Sequence, residues 1–196
     1  MLKKTTIPLL FFFLILSLFC SCAAVGTKTL YKNNVGHHLE RIGFNQLGND
    51  NETYEIFPQT NKIYATTIFE TFSEYGIDDV EELSSTDIEF DHPNIDRIIE
   101  ICEEHDLDGL LISKIKFIHV TYTVFYVPVA KNYDTEVEMK LFSKNGNIIL
   151  STKHNTLKGN SYMMPPPADR TIGDGTKGAL RRITKELGLK KIKQLD

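Results

Sequence analysis

The sequence predicts an α+β domain, a mixed and mostly antiparallel sheet with about three helices packed on it, behind an N-terminal signal segment. Two periodicities and one turn carry that prediction. Apolar residues recur at helical spacing in Ile63–Tyr75, Ile95–His105 and Asp174–Leu187. They alternate with a period of two across Ile115–Val129 and again in Val137, Met139 and Leu141. Lys144-Asn145-Gly146-Asn147 then marks a hairpin, because Asn-Gly tolerates the positive φ that a tight turn demands.

The chain opens with Lys3 and Lys4, an apolar run from Ile7 to Phe19, and then Phe19-Cys20-Ser21-Cys22. A bilayer span takes about 20 apolar residues. The run from Ile7 to Cys20 has 14, so it reads as a cleaved secretory signal rather than a permanent anchor. It resembles a bacterial lipoprotein signal. That resemblance implies cleavage before Cys22 and acylation of its thiol, since Ser21 is small whereas Phe19 excludes Cys20. An unlipidated secreted signal is the alternative, and both readings put the rest of the chain outside the cytoplasm. Ala23 and Ala24 follow Cys22, with no Asp at the second mature position. By resemblance that implies the outer membrane, facing the periplasm. The expected organisation is a signal over 1–21, a lipid-anchored tether over 22–37 and a domain over 38–196.

Removing 21 of 196 residues leaves 175, which suits one domain with a real core. The formal charge of −4 falls to about −6 once Lys3 and Lys4 are gone. An acidic chain of this kind argues against nucleic acid as a partner. Cys102 is the one thiol left, so no internal disulfide can form and the core must hold the fold.

Along the domain, Leu39 to Leu47 reads as the first strand, with Ile42 and Phe44 alternating against Arg41 and Asn45. Tyr64, Ile68, Phe72 and Tyr75 give the first helix its stripe, and Gly76 stops it. Asp78 to Ile88 is acidic and open to either assignment. Asp91-His92-Pro93-Asn94 starts the second helix, whose apolar face is Ile95, Ile98, Ile99 and Cys102. Asp108-Gly109 turns the chain into the short strand Leu110–Ile112. The β-rich run to Val129 and the strands around the Asn145-Gly146 turn follow. Met163-Met164-Pro165-Pro166-Pro167 breaks the regular structure. Thr176, Leu180, Ile183 and Leu187 stripe the last helix, and the helices are expected on one face of the sheet.

Candidate chemistry is sparse. His37 and His38 are adjacent, and on a strand they would point to opposite faces, so no metal site is expected. Cys102 and His105 are three apart on one helix, but Cys102 is in register with the apolar face and reads as core. Asp106 and Asp108 are candidate paired carboxylates or, equally, a helix end leading into a strand. Gly173-Asp174-Gly175-Thr176-Lys177-Gly178 lacks phosphate-loop spacing and reads as a flexible start to the last helix, with Asp174 or Thr176 near its cap. Tyr122, Phe125 and Tyr126 form one sticky surface candidate, and Met163 and Met164 a second, as guesses at partner-binding residues. No cofactor is expected.

Arg41-Ile42-Gly43-Phe44, the helix to Gly76, Asp108-Gly109-Leu110-Leu111-Ile112-Ser113-Lys114-Ile115, Ser143 to Ile149 and Gly178 to Leu187 together resemble a group of envelope lipoproteins. Their α/β fold is like the amino-terminal domain of TolB, and the group includes penicillin-binding-protein activators and the curli secretion lipoprotein. The resemblance implies a non-enzymatic adaptor or regulator of a periplasmic or outer-membrane assembly, such as cell-wall synthesis or transport. A secretion ring or pore, with homo-oligomers, is the alternative. A cell-wall hydrolase is a third class, resting on His105, Asp106 and Asp108. The acidic Asp78–Asp91 stretch and Met163–Pro167 depart from the group.

Overall fold

The computed structural model describes residues 26–33, 39–47, 57–84, 87–124, 127–156 and 168–192. In chain order these form β1 (Thr27–Lys32), β2 (Arg41–Asn45), α1 (Thr60–Ser73), β3 (Asp79–Leu83) and α2 (Ile95–Glu104). Then come β4 (Gly109–Val124), β5 (Val127–Ser143), β6 (Ile148–Asn155) and α3 (Ala168–Glu186). The six strands make one sheet in the order β1-β6-β5-β4-β2-β3. β2 runs parallel to both β3 and β4, and every other pairing is antiparallel. The α+β class and the mixed, mostly antiparallel sheet are as the sequence predicts. No helix among the described residues is long and apolar enough to cross a membrane.

The helices do not share one face, which corrects the sequence reading. Tyr64, Ala65, Ile68 and Phe72 of α1 and Ile172, Ala179, Leu180 and Ile183 of α3 pack with Ile42, Phe44, Leu111, Met139 and Leu141. Ile98, Ile101 and Cys102 of α2 pack with Leu83, Leu107, Leu110, Ile112 and Phe142 on the opposite face. Connection handedness explains the split. The step from β2 through α1 to β3 moves toward the sheet edge; the step from β3 through α2 to β4 crosses back over β2. Both join parallel strands, and right-handed crossovers in opposite directions put their helices on opposite faces.

β2 and the start of β4 are thereby covered on both sides, and two glycines fit them there. A Cβ on Gly43 would collide with the Leu107 side chain, and one on Gly109 would lie 2.7 Å from the backbone oxygen of Phe142. Asp108 fastens the same corner. Its Oδ2 accepts from the backbone N–H groups of Glu40 at 3.1 Å and Arg41 at 3.2 Å, and its own N–H donates to the Arg41 carbonyl at 2.9 Å.

Three further segments differ from the sequence reading. Thr27–Lys32, inside the expected tether, is an edge strand registered against His154–Leu150. Its few apolar residues reflect a strand with one side chain row in solvent. The β-rich run from Ile115 is two strands, not one, because Val124 pairs with Val127 and the chain reverses between them. Pro128 is tolerated because it faces Thr123 alone, β6 having ended opposite Glu136. The glycine-rich stretch lies inside α3 rather than before it. Glycine weakens a helix by about 1 kcal/mol, but here it brings the helix onto the sheet. A Cβ on Gly175 would lie 2.7 Å from Val137 Cγ2, and one on Gly178 2.5 Å from the His154 ring. Below Gly175, Thr135 Oγ1 donates to the Thr171 carbonyl at 2.6 Å.

Glu74, at the end of α1, accepts from Lys177 and is ion-paired with Lys191, each at 2.6 Å, which holds its carboxyl down to about 2. The folded value lies below the unfolded one, so this stabilisation is full above the ordinary carboxylate range and is lost as pH falls toward 2. Glu74→Gln therefore lowers stability by about 1 kcal/mol at pH 7, and urea titrations across pH show the gap to wild type closing in acid. Gly109→Ala costs about 1–3 kcal/mol because the obstacle is backbone, which cannot swing aside. The urea midpoint reads that loss.

Candidate functional site

The parallel edge of the sheet builds an open cleft. β3 contributes Glu81, Glu82 and Leu83, followed by Ser84; α2 contributes Arg97, Ile101 and His105. The space between them is about 310 Å³ and opens to solvent. α2 stands where it does because Asn94 caps it, its side chain accepting from the N–H groups of Asp96 at 3.1 Å and Arg97 at 3.3 Å. Its other end closes on Asp106, which takes a left-handed φ of 54°. The Leu107 N–H then donates to the Cys102 carbonyl at 2.8 Å and the Asp106 N–H to Glu103 at 3.4 Å, the pattern of a Schellman cap.

Polar groups converge on the β3 wall. His105 Nδ1 meets Glu81 Oε1 at 2.7 Å, and Arg41 Nη2 donates to Glu81 Oε2 at 3.2 Å. The His105 hydrogen bond first, and Arg41 with it, hold the Glu81 carboxyl below the usual carboxylate range. Arg41 Nε also lies 3.6 Å from Asp79. On the α2 wall, Arg97 is turned toward Glu100 at 3.0 Å and Glu104 at 3.5 Å. Leu83 and Ile101 give the cleft an apolar floor, both buried. An open groove with an acidic strand edge on one side, a helix of mixed charge on the other and an apolar floor suits a peptide segment better than a reacting small molecule, because nothing shields a reacting group from water.

The sequence-predicted candidates meet different fates. Cys102 is in the core, and burial pushes its thiol up to about 11. His105 turns to Glu81 instead of toward it. Asp108 Oδ2 is engaged by backbone N–H groups of Glu40 and Arg41. Among the described residues no cluster of three His, Cys, Asp or Glu could hold a metal. Tyr122 lies in β4 opposite Ala130. Cys22, Phe125, Tyr126, Met163, Met164, His37 and His38 lie outside the described residues. Sequence reasoning missed Glu81, Arg97 and Arg41 as a group. Glu81 sits in an acidic stretch that the sequence leaves open to either assignment, and its partners are 24 and 40 positions away.

No protein-family model matches this chain, and no curated protein matches its sequence. Solved structures do match. The PelC dodecamer from Paraburkholderia phytofirmans aligns with a TM-score of 0.54 at 11% identity, over 85% of this chain and 99% of that one. The chain shares the PelC fold. A point variant of PelC, also a dodecamer from that organism, gives 0.54 at 13% identity, over 84% and 99% of the two chains. Lipoprotein GNA1162 from Neisseria meningitidis aligns at 0.35 with 10% identity, over 74% and 98%.

The Cys102 environment gives a direct test. In the folded protein at pH 8 the thiol reacts with iodoacetamide far more slowly than a free cysteine, and denaturant restores full reactivity. Peptide mass mapping follows the modification; rapid labelling under native conditions would contradict the buried position.

Proposed function

We propose that this chain is a non-enzymatic, lipid-anchored protein of the bacterial envelope, held at the outer membrane by acylated Cys22 and facing the periplasm. It works there as a repeated structural subunit of a protein assembly. The observation that carries the reading is the PelC fold over almost the whole of a chain solved as a dodecamer. The lipoprotein-like segment ending at Cys22 supports the anchor. The inert setting of Cys102 and the structural engagement of Asp108 support a task of recognition rather than chemistry.

A membrane-inserted pore is the less favoured form of such an assembly. β4 and β5 have 16 and 17 residues, but only the part beyond Phe117 and Thr135 leaves the rest of the sheet. Ile118 to Val124 is seven residues, short of the roughly 9–11 that a membrane strand takes. A ring standing on the membrane fits better. The second reading is an adaptor or regulator for a different periplasmic protein, for example in cell-wall synthesis or transport. The open cleft between β3 and α2 favours it.

Labelling with radioactive palmitate tests the anchor: wild-type cells label the protein and Cys22→Ala cells do not, whereas equal labelling refutes acylation at Cys22. Light scattering on the detergent-extracted lipoprotein tests the subunit reading. A mass of many chains supports it, and a single-chain mass in mild detergent overturns it.

A further inference from the structure

The sheet has two open ends. β1 and β3 are its outermost strands, and among the described residues no strand lies beyond either. Their charges are opposite. β1 is Thr27-Lys28-Thr29-Leu30-Tyr31-Lys32, with two lysines and no acid. β3 is Asp79-Val80-Glu81-Glu82-Leu83, with three acids and no base. Soluble proteins blunt exposed edges with charges and bulges, and β1 has both, the bulge falling at Leu30. Such charges oppose pairing of an edge with its own kind. β1 against β1 sets lysine opposite lysine, and β3 against β3 sets acid opposite acid, which destabilises a ladder. β1 against β3 has no such penalty.

We infer that β1 of one copy adds to β3 of a second copy, continuing the sheet from subunit to subunit. This deepens the subunit reading above and rests on it. The topology makes the junction regular. Following the pairings across the sheet, β6 runs parallel to β4, and β1 runs antiparallel to β6 and hence to β3. A second copy rotated about an axis along the strands keeps both its strand directions and its faces. Its β1 then meets β3 as an antiparallel ladder, the arrangement already present across most of the sheet.

The side chains agree with that geometry. Thr27, Thr29 and Lys32 turn to the α3 side, where they meet His154 at 2.7 Å, Arg182 at 2.6 Å and Glu186 at 2.7 Å. Lys28 and Tyr31, registered against Lys153 and Ser151, therefore lie on the α2 side of the sheet. The cleft beside β3 is on that same side, between β3 and α2. In the continued sheet Lys28 comes to the wall of Asp79 and Glu81. Leu30 and Tyr31 are 53% and 50% exposed, unusual for large apolar groups among the described residues, and the junction would cover them. An edge strand lodged between a partner's edge and its helix is a recognised mode of peptide capture. Because the two surfaces differ, the contact is heterologous and repeats until it closes into a ring.

The test uses the full-length lipoprotein in mild detergent, with isotope-labelled and unlabelled copies mixed before assembly. A carbodiimide joins an amine to a carboxylate only where the two touch. Cross-links from Lys28 of one copy to Asp79, Glu81 or Glu82 of another are the expected result. Lys28→Glu and Asp79→Lys each convert assemblies to single chains, and the two changes in one chain restore assembly. Both positions are exposed, and circular dichroism confirms that the variants fold. Assemblies without these cross-links, or unmoved by Lys28→Glu, overturn edge pairing while leaving the subunit reading intact. Cross-links joining β1 to β1 overturn the head-to-tail order. A wild-type protein that is a single chain overturns both.

Discussion

The fold depends on a five-residue strand that is covered on both sides. β2 lies between two parallel neighbours, with α1 over one face and α2 over the other, and four of its five residues are buried. Ile42 and Phe44 fill the space under α1, and Phe44 meets the rings of Tyr64 and Phe69 edge-on at 5.9 and 5.2 Å. The opposite face has no room for a side chain at Gly43, because Leu83, Leu107 and Leu110 already occupy it. A short strand treated this way tolerates little change on either side. The antiparallel half is more permissive. There β5 and β6 bury one row against α1 and α3, while Glu136, Glu138 and Lys153 hold one another on the outer row at 2.6 and 3.2 Å.

This division separates the two chemical characters of the molecule. The doubly covered half presents polar groups along β3, where Arg41, Glu81 and His105 are bound together at the rim of the cleft. The singly covered half ends in β1, whose Thr27 hydroxyl meets His154 of β6 and whose Thr29 and Lys32 are tied to Arg182 and Glu186 of α3. One end of the sheet is thus rigid and acidic, and the other is thinly supported and basic.

How much of this was legible in the sequence depended on how far apart the interacting residues lie. Tyr64, Ile68 and Phe72 announce α1 because one helix face collects them, and the structure buries all three. Asn145-Gly146 announces the β5–β6 turn because the signal is local, and Gly146 adopts a φ of 74°. β3 was ambiguous because Asp79, Glu81 and Glu82 look solvated until Arg41 and His105 are brought to them. β1 was invisible because Lys28, Thr29 and Lys32 describe a tether as well as an edge strand, and only β6 decides between them. The helix faces were missed for a similar reason. Periodicity shows that a helix has an apolar stripe, whereas the side it covers follows from the strand order. Gly175 and Gly178 looked like flexibility because close approach to Val137 and His154 cannot be seen from neighbours in the chain.

The strand status of Thr27–Lys32 also sets a distance. A tether from Cys22 to residue 37 would let a domain wander about 55 Å from its lipid, at about 3.6 Å per extended residue. With β1 starting at Thr27, only five residue-to-residue steps separate the two, and the reach shrinks to about 18 Å. A lipid on Cys22 would therefore hold the domain close against the bilayer, by one border of its sheet. Neighbouring molecules would stand at a common height and with a restricted tilt. Anchoring would then do more than raise the local concentration of the protein: it would remove much of the orientational search that two free domains must complete before their surfaces meet.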